Sequence, residues 1–481
     1  MSQTRFSLCL QSLSRSPARW VAWILVLLST WLGAYETSAR AQQDAPTRSE
    51  TTRPSVTPFK RERIGRKDDL PDRKTLGEFR ILASGTEESP LKPEERRKIM
   101  EKMAFWLTCR LTWQEVQEGR DPSLTMEHLM EGVEGGPIIL RTDLEGKSYW
   151  DWNGVFRAIP IPRANEDPKA PEVVRRRQFV KEFWPVMRPH LERILVNEWI
   201  MARLNAVRIV ERFILAGIDD AAALLFPVID HPNEHEGVKY WAFHGLGELL
   251  GRRGDSSAPT AEKLRQHATR VLYRELEKRC RFAEADLLGL SPGELDAIRY
   301  VRRTLIRGLA NSQRAALAAA DRAAQVEAPI AELMVRYIRE PQSILPEPSN
   351  AERVEAAYAL TQMDPKLTPG FRVLSAAYHY GVLVADLGRI AGDTAQRDKD
   401  RWAFYGYHLS MGLDDLEKHA KGTADKEAIK YVADLRIRVQ RVLDNLRDPK
   451  KEPGSADSLR DWLSGDGRPQ DVRIIVPPTK E

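Results

Sequence analysis

The chain has 481 residues, of which 30% are charged, and its formal net charge is +5. The first 41 residues contain four arginines and one glutamate, so the rest of the chain carries a net charge of only about +2. This balance does not support nucleic-acid binding, which requires clustered basic residues. The length suits two or three domains or one long helical array.

The first 41 residues show the pattern of a secretory signal peptide. Three arginines and no acid precede the apolar residues 20–35, and Ala39 and Ala41 occupy the −3 and −1 positions of a cleavage site before Gln42. As a helix the apolar run spans about 24 Å, which is short of the ~30 Å hydrocarbon core. We therefore predict cleavage after Ala41, a periplasmic or secreted protein, and no membrane span in the mature chain. An uncleaved anchor is the alternative.

Two polar segments flank the predicted folded part. Residues 42–90 are charged, contain several prolines and have few large apolar residues, which predicts a disordered linker. Residues 447–481 are rich in proline and glycine and predict a disordered tail. Within that tail, residues 459–463 could form a helical turn and residues 472–476 could pair as a strand.

Residues 91–172 are predicted to hold one helix followed by a strand or loop segment. Helical spacing places these apolar residues on one face: Ile99, Met103, Trp106, Leu107 and Leu111. Glycines and aromatic residues then predict short strands or an ordered loop near residues 132–162. The densest aromatic cluster in this segment consists of Tyr149, Trp150, Trp152 and Phe156. These rings either pack in the core or form a platform for a sugar or peptide.

Residues 173–446 are predicted to be helical throughout. One stripe has the three- and four-residue intervals of a helix and comprises Leu191, Leu195, Trp199, Ala202, Ala206, Ile209, Val210 and Phe213. Pro185 and Pro189 predict a break before it, with the helix starting near Pro189. A later stripe, from residue 238 to residue 250, predicts another helix.

Part of this helical region has a repeated pattern. Residues 203–206 (Arg-Leu-Asn-Ala) recur in form at residues 239–242 (Lys-Tyr-Trp-Ala), 36 residues later, and residues 353–360 again place alanines after a basic residue. On this basis residues 202–250 resemble HEAT or armadillo repeats, and the resemblance extends loosely to about residue 363. It implies an irregular α-solenoid with an extended surface that binds a protein or peptide. The uneven spacing of the units leaves a helical bundle as the alternative.

Three histidines are the strongest candidates for a metal site. His231, His235 and His244 are residue types that ligate zinc. The zincin motif needs its second histidine at position 239, which is Lys239, and Pro232 interrupts a helix between His231 and His235. We interpret the segment as a polar turn between helices, with a metal site as the alternative.

The other motifs tested in the sequence do not identify a reaction. Arg141 stands where a phosphate loop ending in Gly146, Lys147 and Ser148 would need glycine. The sequence contains neither a G-x-S-x-G elbow nor a C-x-x-C-H haem motif. We therefore predict no cofactor and assign no catalytic residue. Cys109 and Cys280 either form a disulfide or remain buried thiols.

The leading hypothesis is an exported, non-enzymatic helical-repeat protein that acts as a protein-binding or envelope scaffold module. Its partner would be another protein or a peptide on the helical surface. An enzyme of the α/α type, acting on a glycan or another envelope substrate, is the first alternative. A metal-binding protein is the second alternative.

Overall fold

A computed structural model describes residues 58–60, 71–86, 88–113, 130, 140–142, 148–150, 155–161, 166–252, 259–317, 329–393, 400–448 and 456–475. The predicted signal peptide lies outside these residues. The described part of the chain is mainly α-helical, as the sequence predicts.

The described elements are mostly helices, with one pair of short strands between the second and third helices. In chain order the helices are α1 (Arg73–Ser84), α2 (Pro93–Cys109), α3 (Val155–Ala158), α4 (Pro171–Leu195), α5 (Ile200–Leu215), α6 (Leu225–Asp230), α7 (Glu236–Gly251), α8 (Pro259–Arg279), α9 (Glu284–Leu287), α10 (Pro292–Ser312), α11 (Pro329–Arg339), α12 (Asn350–Gln362), α13 (Val373–Gly392), α14 (Trp402–Thr423), α15 (Lys426–Arg447) and α16 (Ala456–Ser464). Strands β1 (Leu140–Thr142) and β2 (Ser148–Trp150) pair antiparallel. Both strands lie in the segment 132–162.

The disordered linker predicted over residues 42–90 is wrong where the chain forms α1. Asp72 caps this helix by accepting a hydrogen bond from the Thr75 amide at 2.8 Å. The ring of Phe79 packs edge-on against Phe179 and Phe183 of α4, with centroid distances of 5.5 and 5.4 Å. The composition of the segment hides this helix, because its few apolar side chains are separated by charged ones in the sequence although they share one face of the helix.

The break predicted at Pro185 and Pro189 is also wrong. Helix α4 continues through both prolines to Leu195, and α5 begins only at Ile200. Both prolines lie on the exposed face of α4. The carbonyl groups that lose their amide partners can therefore bond water, while the opposite face keeps its buried packing.

Helices α5, α7, α10, α12 and α14, here called the helix row, pack side by side. Each contacts the next: α5 packs on α7, α7 on α10, α10 on α12, and α12 on α14. A second set of helices packs on this row, with α6 on α7, α8 on α10, and α11 and α13 on α12. Between α7 and α10 the backbones nearly touch, because a Cβ added to Gly247 would lie 3.1 Å from the Gly308 Cα.

Two buried ion pairs join neighbouring helices within the helix row. Arg203 of α5 pairs with Glu234, just before α7, at 2.9 Å, and Arg302 of α10 pairs with Glu352 of α12 at 2.7 Å. The Glu352 carboxylate also accepts the Ser349 amide at 2.8 Å in a capping box that starts α12. A local helix-start signal therefore places the acid that neutralises a buried arginine of another helix.

The segment at residues 58–60 is attached at the start of the row. The Lys60 amide donates to the Val196 carbonyl at 2.8 Å, and the Glu198 amide donates to the Lys60 carbonyl at 2.9 Å. The ring of Phe59 lies 3.7 Å from the Arg203 guanidinium carbon. The linker prediction therefore also fails at these three residues.

The disordered tail predicted over residues 447–481 is wrong in its described part. Helix α16 packs on α13, and Ile475 forms a single antiparallel bridge with Phe371. The Arg372 amide donates to the Ile474 carbonyl at 3.0 Å. The turn at 459–463 and the strand-like pairing near 472–476 are consistent with these contacts.

Two further features bear on the sequence predictions. Cys109 and Cys280 are both buried and are not joined to each other in a disulfide, and the Cys280 sulfur lies 3.1 Å from the Tyr337 hydroxyl. Among the described residues, no helix combines the length and the apolar character needed to cross a bilayer.

Candidate functional site

The structure gives the three candidate histidines three different environments. His231 packs against the Phe59 ring at 4.5 Å. His235 caps α7, where its Nδ1 accepts the Gly237 amide at 3.0 Å. His244 lies further along α7, with its Nδ1 2.7 Å from Glu211 Oε1. Within the part of the chain that the structure covers, no three His, Cys, Asp or Glu side chains are grouped closely enough to hold a metal.

The predicted aromatic cluster at residues 149–156 is described only in part. Tyr149 and Trp150 belong to β2, but their side chains and all of Trp152 lie outside the described structure. Phe156 is half-buried, and the guanidinium groups of Arg208 and Arg212 lie 5.2 and 5.3 Å from its ring centre. This ring therefore packs against α5.

A different set of side chains forms a continuous surface across the helix row. The first contacts join α5 to α7. The Arg208 guanidinium carbon lies 5.2 Å from the Trp241 ring centre, and Glu211 reaches His244 across the same interface. The imidazole of His244 is 38% exposed, whereas the Glu211 side chain is 9% exposed. A buried acid thus holds a half-exposed histidine at the surface.

The Glu211–His244 contact changes the proton affinities of its neighbours. Burial acts to lower the pKa of His244, but the hydrogen bond and charge of Glu211, with the charge of Glu248, outweigh burial and raise that pKa above 6.5. Burial and the charge of Glu211 raise the pKa of Glu248, although His244 opposes them. Glu211 and Glu248 therefore both act on this histidine, and the pKa values of His244 and Glu248 are both raised.

Two tyrosines carry the surface from α7 to α10. The rings of Tyr240 and Tyr300 are stacked at a centroid distance of 5.2 Å, and the Tyr240 hydroxyl donates to the Tyr300 hydroxyl at 3.2 Å. Burial is the main cause of a raised pKa for Tyr240. Tyr300 is 42% exposed. The outer ring of the stack is thus open to a ligand.

A charged centre joins α10, α12 and α14. Arg307 Nε donates to Glu355 Oε1 at 2.8 Å, Arg303 lies 3.7 Å from the same oxygen, and His408 Nε2 lies 3.3 Å from Glu355 Oε2. Burial acts to raise the pKa of Glu355, but His408 and Arg307 outweigh it and lower the pKa to about 2. The carboxylate is therefore ionised and lies beside two arginines.

The last contacts join α12 to α14 through rings. Tyr358 packs on His408 with a centroid distance of 4.2 Å, and Phe404 stacks on the His408 imidazole at 5.7 Å. Phe404 is 42% exposed. We call the whole surface the aromatic strip and define it as Tyr240, Trp241, His244, Tyr300, Arg303, Arg307, Glu355, Tyr358, Phe404 and His408.

The chemistry of the aromatic strip suits recognition of an extended ligand. Its rings offer flat apolar surface, and the arginines and hydroxyl groups between them are hydrogen-bond donors. Among the residues of the strip, only His244 is a site candidate from the sequence. The sequence does not reveal the strip because each helix contributes only a few of its side chains, and their partners are as far away as the 60 residues between Tyr240 and Tyr300.

Comparison with known proteins detects no relative of this chain. No protein-family model matches the chain, and no curated protein or solved structure shows significant similarity to it.

Proposed function

We propose that this chain is an exported, non-enzymatic helical-repeat protein that binds another protein through the aromatic strip. One observation carries the proposal: side-chain contacts cross every interface of the helix row on one exposed face, from Glu211–His244 to Tyr358–His408. A surface built this way extends over several helices, which is how helical-repeat proteins engage their partners.

The repeated basic-then-alanine pattern supports the repeat architecture. Arg203, Lys239 and Arg353 are all buried, and Ala206 and Ala242 are fully buried three residues after the first two. The basic residues of α5, α7 and α12 are thus all buried near acids, and the alanines that follow Arg203 and Lys239 allow close packing of their helices. The HEAT-like solenoid remains part of the proposal on this basis.

Export is proposed from the N-terminal pattern alone. The expected result is that protein recovered from the periplasm or medium begins at Gln42, as read by mass spectrometry of its N-terminal peptide. Recovery of the full-length chain in the cytosol would contradict this part of the proposal.

The binding function is tested by site-specific crosslinking. A photoreactive phenylalanine analogue at position 300 or 404 should crosslink to a defined partner in the envelope fraction, because both native rings are exposed on the strip. The matched control places the same analogue at Ile437 of α15, an apolar residue that is 68% exposed. Equal crosslinking from position 437, or none from positions 300 and 404, would refute the strip as the binding surface.

Catalysis at His244 is the second candidate function. The observation that favours it is the contact between the half-exposed His244 imidazole and the buried Glu211 carboxylate, beside Glu248, whose pKa is raised. An enzyme acting on an envelope glycan should release new reducing ends, and His244→Gln and Glu248→Gln should each lower that rate at least about tenfold. Unchanged rates in both variants would remove this candidate.

A further inference from the structure

The aromatic strip presents at least one ring on each of four successive helices. Trp241 and Tyr240 belong to α7, Tyr300 to α10, Tyr358 to α12 and Phe404 to α14. Tyr300 and Phe404 are the most exposed of these rings, and the others are half-buried. A ligand that crosses the helix row would therefore meet aromatic surface at each step.

Polar groups beside these rings already bond to one another. Glu211 holds His244, Glu355 holds Arg307, and Gln362 of α12 donates to Asp415 of α14 at 2.5 Å. A sugar chain needs many hydrogen-bonding groups around its hydroxyls, and these side chains are engaged with each other. The strip therefore favours a ligand that offers flat apolar surface and few hydrogen-bond donors.

The distance between neighbouring helices further restricts the class of ligand. Packed helices lie about 8–10 Å apart. A polyproline II helix has three residues per turn and rises ~3.1 Å per residue, so every third side chain recurs after about 9 Å on the same face. A peptide in this conformation that runs across the row would place one turn on each helix. Proline-rich segments dock in grooves lined by aromatic rings. Because the peptide is already extended before binding, it loses little conformational entropy when it binds.

Hydrogen bonding at the α7–α10 step fits such a peptide. The Tyr300 hydroxyl accepts from Tyr240, which leaves its own hydrogen for an outside acceptor. Polyproline II has no internal hydrogen bonds, so its carbonyl groups are available as acceptors. The exposed hydroxyl would thus donate to the peptide backbone.

The arginines at the middle of the strip indicate which type of residue the peptide would carry beside its prolines. Arg303 and Arg307 share the single carboxylate of Glu355, and the Arg307 side chain is 49% exposed. The exposed part of the Arg307 guanidinium can therefore pair with an acidic side chain on the ligand.

We propose that the aromatic strip binds a proline-rich peptide in polyproline II conformation with an acidic residue near its centre. This inference rests on the proposed function and names the class of partner segment. Three steps between four helices span roughly 28 Å, so the bound segment has about nine residues.

The test measures binding of full-length mature protein to a synthetic proline-rich peptide of about nine residues with one central glutamate. Calorimetry should detect one site. Tyr300→Ala and Phe404→Ala should each weaken binding about tenfold, since each removes one stacking ring. Arg307→Gln should weaken binding of the glutamate peptide more than binding of a peptide with glutamine at that place. Ile437→Ala, which truncates an even more exposed apolar side chain outside the strip, should leave the affinity unchanged.

Three results would overturn the inference: no binding of the proline-rich peptide, equal binding of a glycine–serine peptide with the same glutamate, or equal weakening by Ile437→Ala. Preferential binding of a chitin-type oligosaccharide by the strip would overturn it in favour of a sugar ligand. If positions 300 and 404 still crosslink to a protein partner while the proline-rich peptide does not bind, the proposed function stands and this inference fails. If positions 300 and 404 give no crosslink and the proline-rich peptide does not bind, both the proposed function and this inference fail.

Discussion

Two arginine–glutamate pairs join α10 to α12 at different depths. Arg302 and Glu352 are both 0% exposed, whereas the Arg307 side chain is 49% exposed above a Glu355 that is 3% exposed. The first pair is enclosed, with Arg302 also donating to the Pro346 carbonyl at 2.8 Å. The second pair opens to the aromatic strip. The same two residue types thus hold the helices together in one place and shape a surface in the other.

The comparison is tested most strongly at Arg302. Arg302→Met leaves a buried Glu352 without its cation, so the free energy of unfolding should fall by about 3–5 kcal/mol. Urea denaturation measures the loss. Arg307→Met is the matched control and should cost less than about 1 kcal/mol, because Glu355 keeps Arg303 and His408 as neighbours.

A double variant separates the lost ion pair from lost packing. Arg302→Met with Glu352→Gln keeps the hydrogen-bonding shape that caps α12 but removes the buried charge. It should recover much of the stability lost in Arg302→Met. If the double variant is as unstable as the single one, charge burial is not what distinguishes this pair.

The packing of the row is tested next by two alanine substitutions. Gly247→Ala forces the α7 backbone away from Gly308 and should cost about 1–3 kcal/mol. Gly77→Ala in α1 meets no atom within 4 Å, so it should stabilise by about 0.5–1 kcal/mol through helix propensity. Thermal unfolding of the two variants should therefore move in opposite directions. A similar shift in both would mean that the α7–α10 contact is looser than described.

Phe59 covers one face of the other buried pair, Arg203–Glu234. Phe59→Ala should lower stability by about 1 kcal/mol, because a guanidinium loses its aromatic neighbour. It should also speed hydrogen exchange at the Glu198 amide, which donates to Lys60. Phe59→Leu should restore part of the stability. Unchanged exchange in Phe59→Ala would show that this ring does not hold the 58–60 segment.

The smallest effect concerns pH at the start of the strip. Since Glu211 helps raise the folded-state pKa of His244 above 6.5, the protonated imidazole stabilises the fold below about pH 6.5, and this contribution is lost as the pH rises through the raised pKa. Titration of the His244 ring by NMR should show a lower pKa in Glu211→Gln. Glu417→Gln, an acid on α14, should leave it unchanged. A pKa at or below 6.5 in the native protein would contradict the assignment.

Much of the helical architecture was predictable because the buried face of each helix consists of apolar residues that are close together in the sequence. The regularly spaced stripe ending at Phe213 is buried as predicted from Ala202 onward, although Trp199 lies between two helices. The basic-then-alanine signal also marks buried positions at Arg203 and Lys239. Such signals are local, so one sequence contains them.

The aromatic strip was not predictable in the same way, because its contacts join residues from different helices. Glu211 and His244 are 33 residues apart, and each alone reads as an ordinary polar residue on a helix. The disorder predicted for both ends of the fold is wrong at residues 58–60 and 456–475 for a related reason, although the sequence did suggest strand pairing near residues 472–476. Phe59 and Ile475 lie in segments of polar, proline-containing composition, and their partners are distant in the sequence.

The bridge between Phe371 and Ile475 makes the start of α13 depend on a segment about a hundred residues later in the sequence. Closing a loop of this length has a substantial entropic cost that local helix formation does not incur. The same segment brings the Val472 carbonyl to within 3.0 Å of His379 Nε2 in α13. A change that displaces residues 472–475 would therefore remove contacts from the N-terminal half of α13, far away in the sequence.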